Sequence, residues 1–287
     1  MWHNSRVVSC GQCLACRINK TTRTTVRLLA EQTKYEKTSF LTLTYDDDHN
    51  EDPSLRYEHL KKFWKDIRYD LGKNYDFKYY AVGEYGEISK RKHFHAILFG
   101  VGTDRNSRSL IADNWHYCNP DKFIIPAYNG LAPATRCDMQ YVAGYVQKKL
   151  TGVLGKQEYQ DQGFEPPDSR SSQGIGYRWF KENLDLIYPD GTFRLWNGVC
   201  VTLDKKFLER IGYPMDIGSD YWNERVKIAD KANSLAGFDQ KRLSDIQKIR
   251  LAAYASYRDL VKNGRDYGNA EVNYLAKHTI GGFRNGI

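Results

Sequence analysis

The stretch Lys92-His93-Phe94-His95-Ala96-Ile97-Leu98-Phe99 decides how this chain is read. It is rich in β-formers, and in a strand residues two apart point to the same side. His93 and His95 therefore share one face, while Phe94, Ala96 and Leu98 share the other. A lone His-x-His pair is more often incidental than a metal site, so a third ligand has to be found. Phe77 to Tyr85 reads as the preceding strand, ending Gly83-Glu84-Tyr85-Gly86, with Gly86 to Arg91 as a polar loop. A loop centred near Ile88-Ser89 places Glu84 across the hairpin from His93. Two imidazoles and a carboxylate leave coordination positions open, as a catalytic metal requires. An oxygen-rich open site of this kind accepts Mg²⁺ or Mn²⁺ when a phosphate supplies further oxygens. Glu87 is the competing carboxylate, more simply read as a solvated loop charge.

Outward from this hairpin, Ser39 to Tyr45 is a further strand that stops at Asp46-Asp47-Asp48. Tyr57, Leu60, Phe63, Trp64, Ile67 and Leu71 recur at helical spacing up to Gly72. Arg108–Cys118 reads as a helix, and Asp138 as the N-cap of another running to Leu150. The order β-α-β-β-α-α predicts an α+β fold: a mainly antiparallel central sheet carrying the His-x-His strand, with helices packed on one face. Four regions are expected. Residues 1–37 form a basic segment with a cysteine cluster, residues 38–150 the core, residues 151–212 an irregular extension, and residues 213–287 a helical tail. The extension opens on Gly, Gln, Ser and Pro, and the tail carries amphipathic patterns over Tyr221–Ala236 and Gln240–Val261.

The chain has 287 residues, with 43 Lys+Arg against 35 Asp+Glu, a formal charge of +8. Its 41% hydrophobic and 27% charged residues exclude a disordered chain. No apolar run approaches the roughly 18–20 residues of a membrane span, and Met-Trp-His-Asn does not open a signal peptide, so the expected location is the cytoplasm. Twenty-one tyrosines outnumber the 12 Phe and 6 Trp together. Positive charge with many ring faces suits single-stranded nucleic acid, whose phosphates meet Lys/Arg and whose bases stack on rings. The blander reading of +8 is solubility. Arg17, Arg23 and Arg27 on a basic helix, with Lys149, are the candidate DNA contacts. Cys10-Gly-Gln-Cys13-Leu-Ala-Cys16 has the spacing of a metal knuckle but is one thiolate short of a structural Zn²⁺ site. Cys118, Cys137 and His3 are open candidates for the fourth ligand, and three reduced cysteines at a helix start are the equal alternative.

A second constellation is Tyr141-Val-Ala-Gly-Tyr145-Val-Gln-Lys148-Lys149-Leu150. Met139, Val142, Val146 and Leu150 make a core stripe, and Tyr141 and Tyr145, four apart, lie together on its flank with Lys148 and Lys149 beyond. Tyrosines so placed are usually packing at a core edge. A phenol beside an ammonium and aimed at a metal-bound phosphate is also a nucleophile, because its pKa near 10 lies far below that of an alkyl hydroxyl. No Walker loop, dinucleotide fingerprint or Ser-His-Asp order stands beside it.

With these motifs in order, the chain resembles the rolling-circle replication initiators, the His-hydrophobic-His endonucleases, and in particular those of the microviruses and their gokushovirus branch. Phe40-Leu-Thr-Leu-Thr-Tyr45 is similar to the family's first motif. His93-Phe94-His95 with Glu84 resembles its metal motif, and Tyr141-x-x-x-Tyr145-x-x-Lys148 its two-tyrosine motif. The Cys10/Cys13/Cys16 cluster and Gly174-Ile-Gly176-Tyr177-x-Trp179-Phe180 add to the likeness, which is tightest over residues 38–150. The resemblance implies a metal-dependent endonuclease and strand-transferase. Tyr141 or Tyr145 attacks a phosphodiester of single-stranded origin DNA, leaving a 5′-phosphotyrosine link and a free 3′-hydroxyl. Strand rejoining then releases a circle, with Lys148 near the phosphate. The implied partners are origin DNA, a host polymerase and a host helicase, and the implied setting is a bacterial host's cytoplasm. A plasmid relaxase, a single-strand transposase and a non-enzymatic single-strand binder are the competing readings.

Overall fold

The computed structural model describes residues 2–3, 6–7, 14–86, 89–148, 155, 157–188, 191–194 and 200–213. The chain divides into two compact units, residues 1–182 with 210–212 and residues 183–209 with 213–287. In the first, β1 (Trp2–His3) and β2 (Arg6–Val7) form a short antiparallel ribbon ahead of α1 (Leu14–Gln32). There follow β3 (Thr38–Thr44), α2 (Tyr57–Leu71), β4 (Lys78–Tyr85) and β5 (Lys92–Phe99). Next come α3 (Arg105–Asn114), α4 (Asp121–Ile124), β6 (Leu131–Pro133) and α5 (Arg136–Lys148). β7 (Ser169–Ser171) and α6 (Tyr177–Glu182) close the unit. In the second unit β8 (Thr192–Arg194) pairs with β9 (Cys200–Thr202), and α7 (Lys205–Ile211) starts where Asp204 accepts from the Phe207 N–H. The expected C-terminal helices lie outside the described residues.

The α+β fold is as the pattern predicts. One antiparallel sheet runs β6-β3-β5-β4-β7, with the His-x-His strand β5 at its centre. Its helices, however, cover both faces. Leu41, Leu43, Ala81, Phe94, Ala96 and Leu98 pack with Leu60, Phe63, Trp64 and Ile67 of α2 and Ile111 of α3. Tyr80, Val82, Ile97 and Phe99 pack on the other side with Leu28 of α1 and Met139, Val142 and Ala143 of α5. The reason lies in β5 itself. Ala96 to Phe99 is apolar without alternation, the mark of a strand buried on both sides, so a single helical layer would leave one face wet.

Local signals explain the element ends. α2 stops at Gly72, whose φ of +86° suits glycine and whose N–H bonds the Tyr69 carbonyl. α3 begins three residues before the expected start, because the Asp104 carboxylate caps it by accepting from the Ser107 N–H at 3.1 Å. Asp138 is not the N-cap of α5 but its third residue. It accepts from the Thr135 N–H at 2.7 Å while Thr135 Oγ1 accepts from the Asp138 N–H at 3.3 Å, a reciprocal capping box.

The stretch after residue 151 contributes to the sheet's unit. β7 adds an edge strand to β4, and the following turn docks on α1. There Glu31, wholly buried, meets Lys78 Nζ at 2.8 Å and accepts from the Gly176 N–H at 2.5 Å. Gly176 has φ +81°, and a Cβ there would stand 3.0 Å from the Arg27 carbonyl oxygen. The Gly174–Gly176 turn thus fits against the helix only as glycine.

Candidate active site

The hairpin register sets Glu84 opposite His93, with Thr44 opposite His93 and Thr42 opposite His95 on the other flank of β5. Glu84 Oε2 lies 3.1 Å from His93 Nε2 and 3.4 Å from His95 Nε2. The ligand atoms of the three residues all fall within 4.8 Å of one another. Glu87, the competing carboxylate, lies outside the described residues.

The second nitrogen of each ring is also engaged. His93 Nδ1 faces the Arg91 carbonyl at 3.1 Å, and His95 Nδ1 meets Thr42 Oγ1 at 3.1 Å. A carbonyl can only accept, so the His93 proton belongs on Nδ1 and Nε2 presents a lone pair toward a carboxylate oxygen. Two acceptors facing each other at 3.1 Å need a cation between them, either a second ring proton or a metal ion. The donor set and its outer partners thus fit a divalent metal.

Electrostatics points the same way. Burial opposes ionisation of Glu84, but hydrogen bonds from His93, His95 and Tyr145 outweigh it and hold the carboxyl well below its usual range. It is therefore an anion at neutral pH, as a ligand must be.

Helix α5 lays both tyrosines over these ligands. Tyr145 stacks on His95 with ring centroids 5.5 Å apart, and Tyr141 meets the same ring edge-on at 5.4 Å. Their hydroxyls are hydrogen-bonded to each other, and that of Tyr145 also bonds Glu84. The two differ in exposure: Tyr141 is 48% exposed and Tyr145 only 6%. Burial, then bonding to Glu84 and Tyr141, pushes the Tyr145 phenol far above its ordinary value.

The remaining predicted residues fall variously. Lys148 is the last residue of α5, and Lys149 lies outside the described residues, as do Cys10 and Cys13. Cys16 stands near the start of α1. Of the candidate fourth zinc ligands, Cys118 is buried in the α2–α3 core and Cys137 is exposed on α5. Arg17, Arg23 and Arg27 share α1 with the metal-face core. The Arg27 Nε donates to the Ile175 carbonyl at 3.0 Å, and its guanidinium lies over the Tyr177 ring. Sequence reasoning missed Thr42 as the support of His95, and Phe40, which stacks on that ring at 5.4 Å. The alternation Phe40-Leu-Thr42-Leu-Thr44 carried that signal, but only the pairing of β3 with β5 turns it into neighbours.

Known proteins share this segment. Residues 38–150 match the family described as replication-associated protein ORF2. The chain is 28% identical to the replication-associated protein ORF2 of Spiroplasma virus 4 over 210 residues, 69% of this chain and 62% of that protein. It is 26% identical to the replication-associated protein VP4 of Bdellovibrio phage phiMH2K over 200 residues, 66% of this chain and 62% of that one. The replication-associated protein ORF4 of Chlamydia phage 1 is 32% identical over 162 residues, 49% of this chain and 38% of that protein. The chain thus spans about three-fifths of the first two relatives, and no solved structure matches it. No helix among the described residues is long and apolar enough to cross a membrane. The sheet, the His-Glu cluster and the two-tyrosine helix therefore sit within the segment that matches the replication-associated protein ORF2 family, and around it the chain is similar to the replication-associated proteins of microvirus-type phages.

Proposed function

We propose that this chain is a replication initiator that nicks single-stranded origin DNA by tyrosine attack and later rejoins the strand. The observation that carries the reading is the placement of two phenols on the one imidazole, His95, that also faces Glu84. Structural tyrosines at i and i+4 explain packing, but not why both rings converge on the cluster of ionisable ligands in an otherwise apolar layer.

Glu84, His93 and His95 hold a divalent cation, Mg²⁺ or Mn²⁺, which supplies Lewis-acid polarisation of a phosphate oxygen. Thr42 and the Arg91 carbonyl keep the two imidazoles turned so that Nε2 faces inward. The attacking tyrosine's oxygen forms a bond to phosphorus as the bond to O3′ breaks, and the departing oxygen takes up a proton to become the 3′-hydroxyl. The phenol's own proton can pass along the hydrogen-bonded row Tyr141–Tyr145–Glu84. Because one phosphodiester replaces another, the 3′-hydroxyl can attack in reverse and reseal the strand without ATP. A second tyrosine lets a new cut be made while the first still holds an end.

The test is denaturing gel analysis of the full chain with labelled single-stranded origin DNA and Mn²⁺. Wild type is expected to form a covalent adduct and Tyr141→Phe/Tyr145→Phe none. An adduct persisting in the double variant would overturn the reading, and salt-sensitive binding without cleavage at any metal concentration would favour a plain single-strand binder.

A further inference from the structure

We propose that Lys122, on α4 and outside every motif considered above, binds a backbone phosphate of the single strand beside the metal cluster; this rests on the nickase reading for what the strand is doing there. A cleft lined by Thr44, Tyr45, Asp46, Asp47, Arg91, Lys92, His93 and Lys122 opens directly on the cluster, His93 belonging to both. A strand whose scissile phosphate meets the metal must lay its neighbouring phosphates along such an opening.

The other charges of this cleft are already engaged. The Lys92 ammonium is turned inward to the Asp52 carbonyl at 2.5 Å and over the Tyr45 ring at 4.4 Å. Arg91 pairs with Asp47 at 2.6 Å and bonds the Tyr45 carbonyl at 2.9 Å. Asp46 accepts from His49 at 2.6 Å. The Lys122 ammonium bonds only a neutral hydroxyl, Thr44 Oγ1, at 2.8 Å, and among the described residues no carboxylate oxygen comes within 4.0 Å of it. It is a cation held in place with donors to spare.

The fold also positions it closely. Thr44 is the residue opposite His93 in the β3–β5 ladder, so the ammonium reaches the metal face one cross-strand step from a ligand. At the other end of the residue the Lys122 carbonyl accepts from the Gly130 N–H at 3.1 Å. A Cβ at Gly130 would stand 2.3 Å from that oxygen, so only glycine permits the approach. The next residue, Phe123, is fully buried, and its carbonyl accepts from Arg108 Nη1 at 2.7 Å. A four-residue helix so firmly anchored presents one lysine to the cleft. A long, flexible side chain with this much support suits the recognition of a phosphate as a point charge.

The experiment is fluorescence anisotropy of the full chain with a mixed-sequence single-stranded oligonucleotide across a salt series, in EDTA so that no cleavage intervenes. Lys122→Met is expected to weaken binding about tenfold at low salt and to flatten the slope of log K against log salt by about 0.7, the loss of one phosphate contact on a single strand. Lys122→Arg should restore the slope. Lys65→Met, on the exposed side of α2, should leave it unchanged, which separates a contact from general charge. An unchanged slope in Lys122→Met, with melting temperature preserved, overturns the proposal even if that variant still forms a tyrosine adduct. A flattened slope supports the phosphate contact even if no adduct ever forms, in which case it is the nickase reading that fails.

Discussion

On one face of the sheet Leu41, Leu43, Phe94, Ala96 and Leu98 meet α2 and α3 in an apolar layer, with Trp115 fully buried among them. On the other, the alternate positions of the same strands carry Glu84, His93 and His95 at one end, and Tyr80, Val82, Ile97 and Phe99 at the other. Strand β5 serves both: Phe94 stands between the two histidines in sequence and on the opposite side in space. The contrast teaches how a rigid site is made. The apolar face holds the strands in register, and register alone brings Glu84 to His93 and Thr42 to His95.

The separation is open to direct attack. Phe94→Ala should cost about 3–5 kcal/mol in denaturant unfolding, a cavity beneath the fully buried ring. His95→Ala, on the metal face, should cost much less in the absence of metal. If both substitutions destabilised equally, the division of labour would be wrong.

Metal should act on the opposite face only. Mn²⁺ at about a hundred times its dissociation constant is expected to stabilise wild type by about 2.7 kcal/mol. Glu84→Gln should abolish that gain and Phe94→Ala should retain it, both read as shifts in melting temperature.

A smaller effect is expected at Gly130, whose N–H holds α4 to the sheet. Gly130→Ala should destabilise by about 1–3 kcal/mol through its clash with the Lys122 carbonyl, and should disturb single-strand binding along with stability. Gly83, on the apolar-face side of β4, has a comparable close approach to Tyr57 and Leu55. Gly83→Ala should therefore lower stability without changing the salt slope of binding.

The smallest change is at Asp104, which caps α3. The Ser107 N–H, then Lys37 and the Ser107 hydroxyl, hold its carboxyl down to about 2. A carboxyl lowered on folding contributes stability that is fully present above its unfolded value near 4 and is lost as pH falls through about 2. Asp104→Asn should thus differ from wild type by about 1 kcal/mol at most at neutral pH, and chemical denaturation should show the gap closing between about pH 4 and pH 2.

Much of the site was legible because its signals are local. The period of two in His93-Phe94-His95 and the short polar loop before it were enough to pair Glu84 with His93. The four-residue step from Tyr141 to Tyr145 was enough to put both phenols on one flank of a helix. The helix over Tyr57–Leu71 followed from its apolar spacing and from Gly72. Other features were not legible. The turn at Gly174–Gly176 was noticed as a motif, but its partner Glu31 lies 145 residues away, and nothing in the local pattern joins them. Lys122 is one lysine among many in the chain until Thr44 and Gly130 fix it at both ends.

By itself, then, the sequence determined which residues share a strand or a helix face, since backbone geometry repeats at two and at about 3.6 residues whatever the surroundings. That is why the three ligands and the two tyrosines could each be grouped in advance. Only the tertiary structure decided that α5 packs on the histidine side of the sheet, that both faces are covered, and that Tyr145 is buried while Tyr141 is exposed. Those outcomes depend on which apolar surfaces find each other across long separations in the chain, and hydrophobic association has strength but no address written in neighbouring residues.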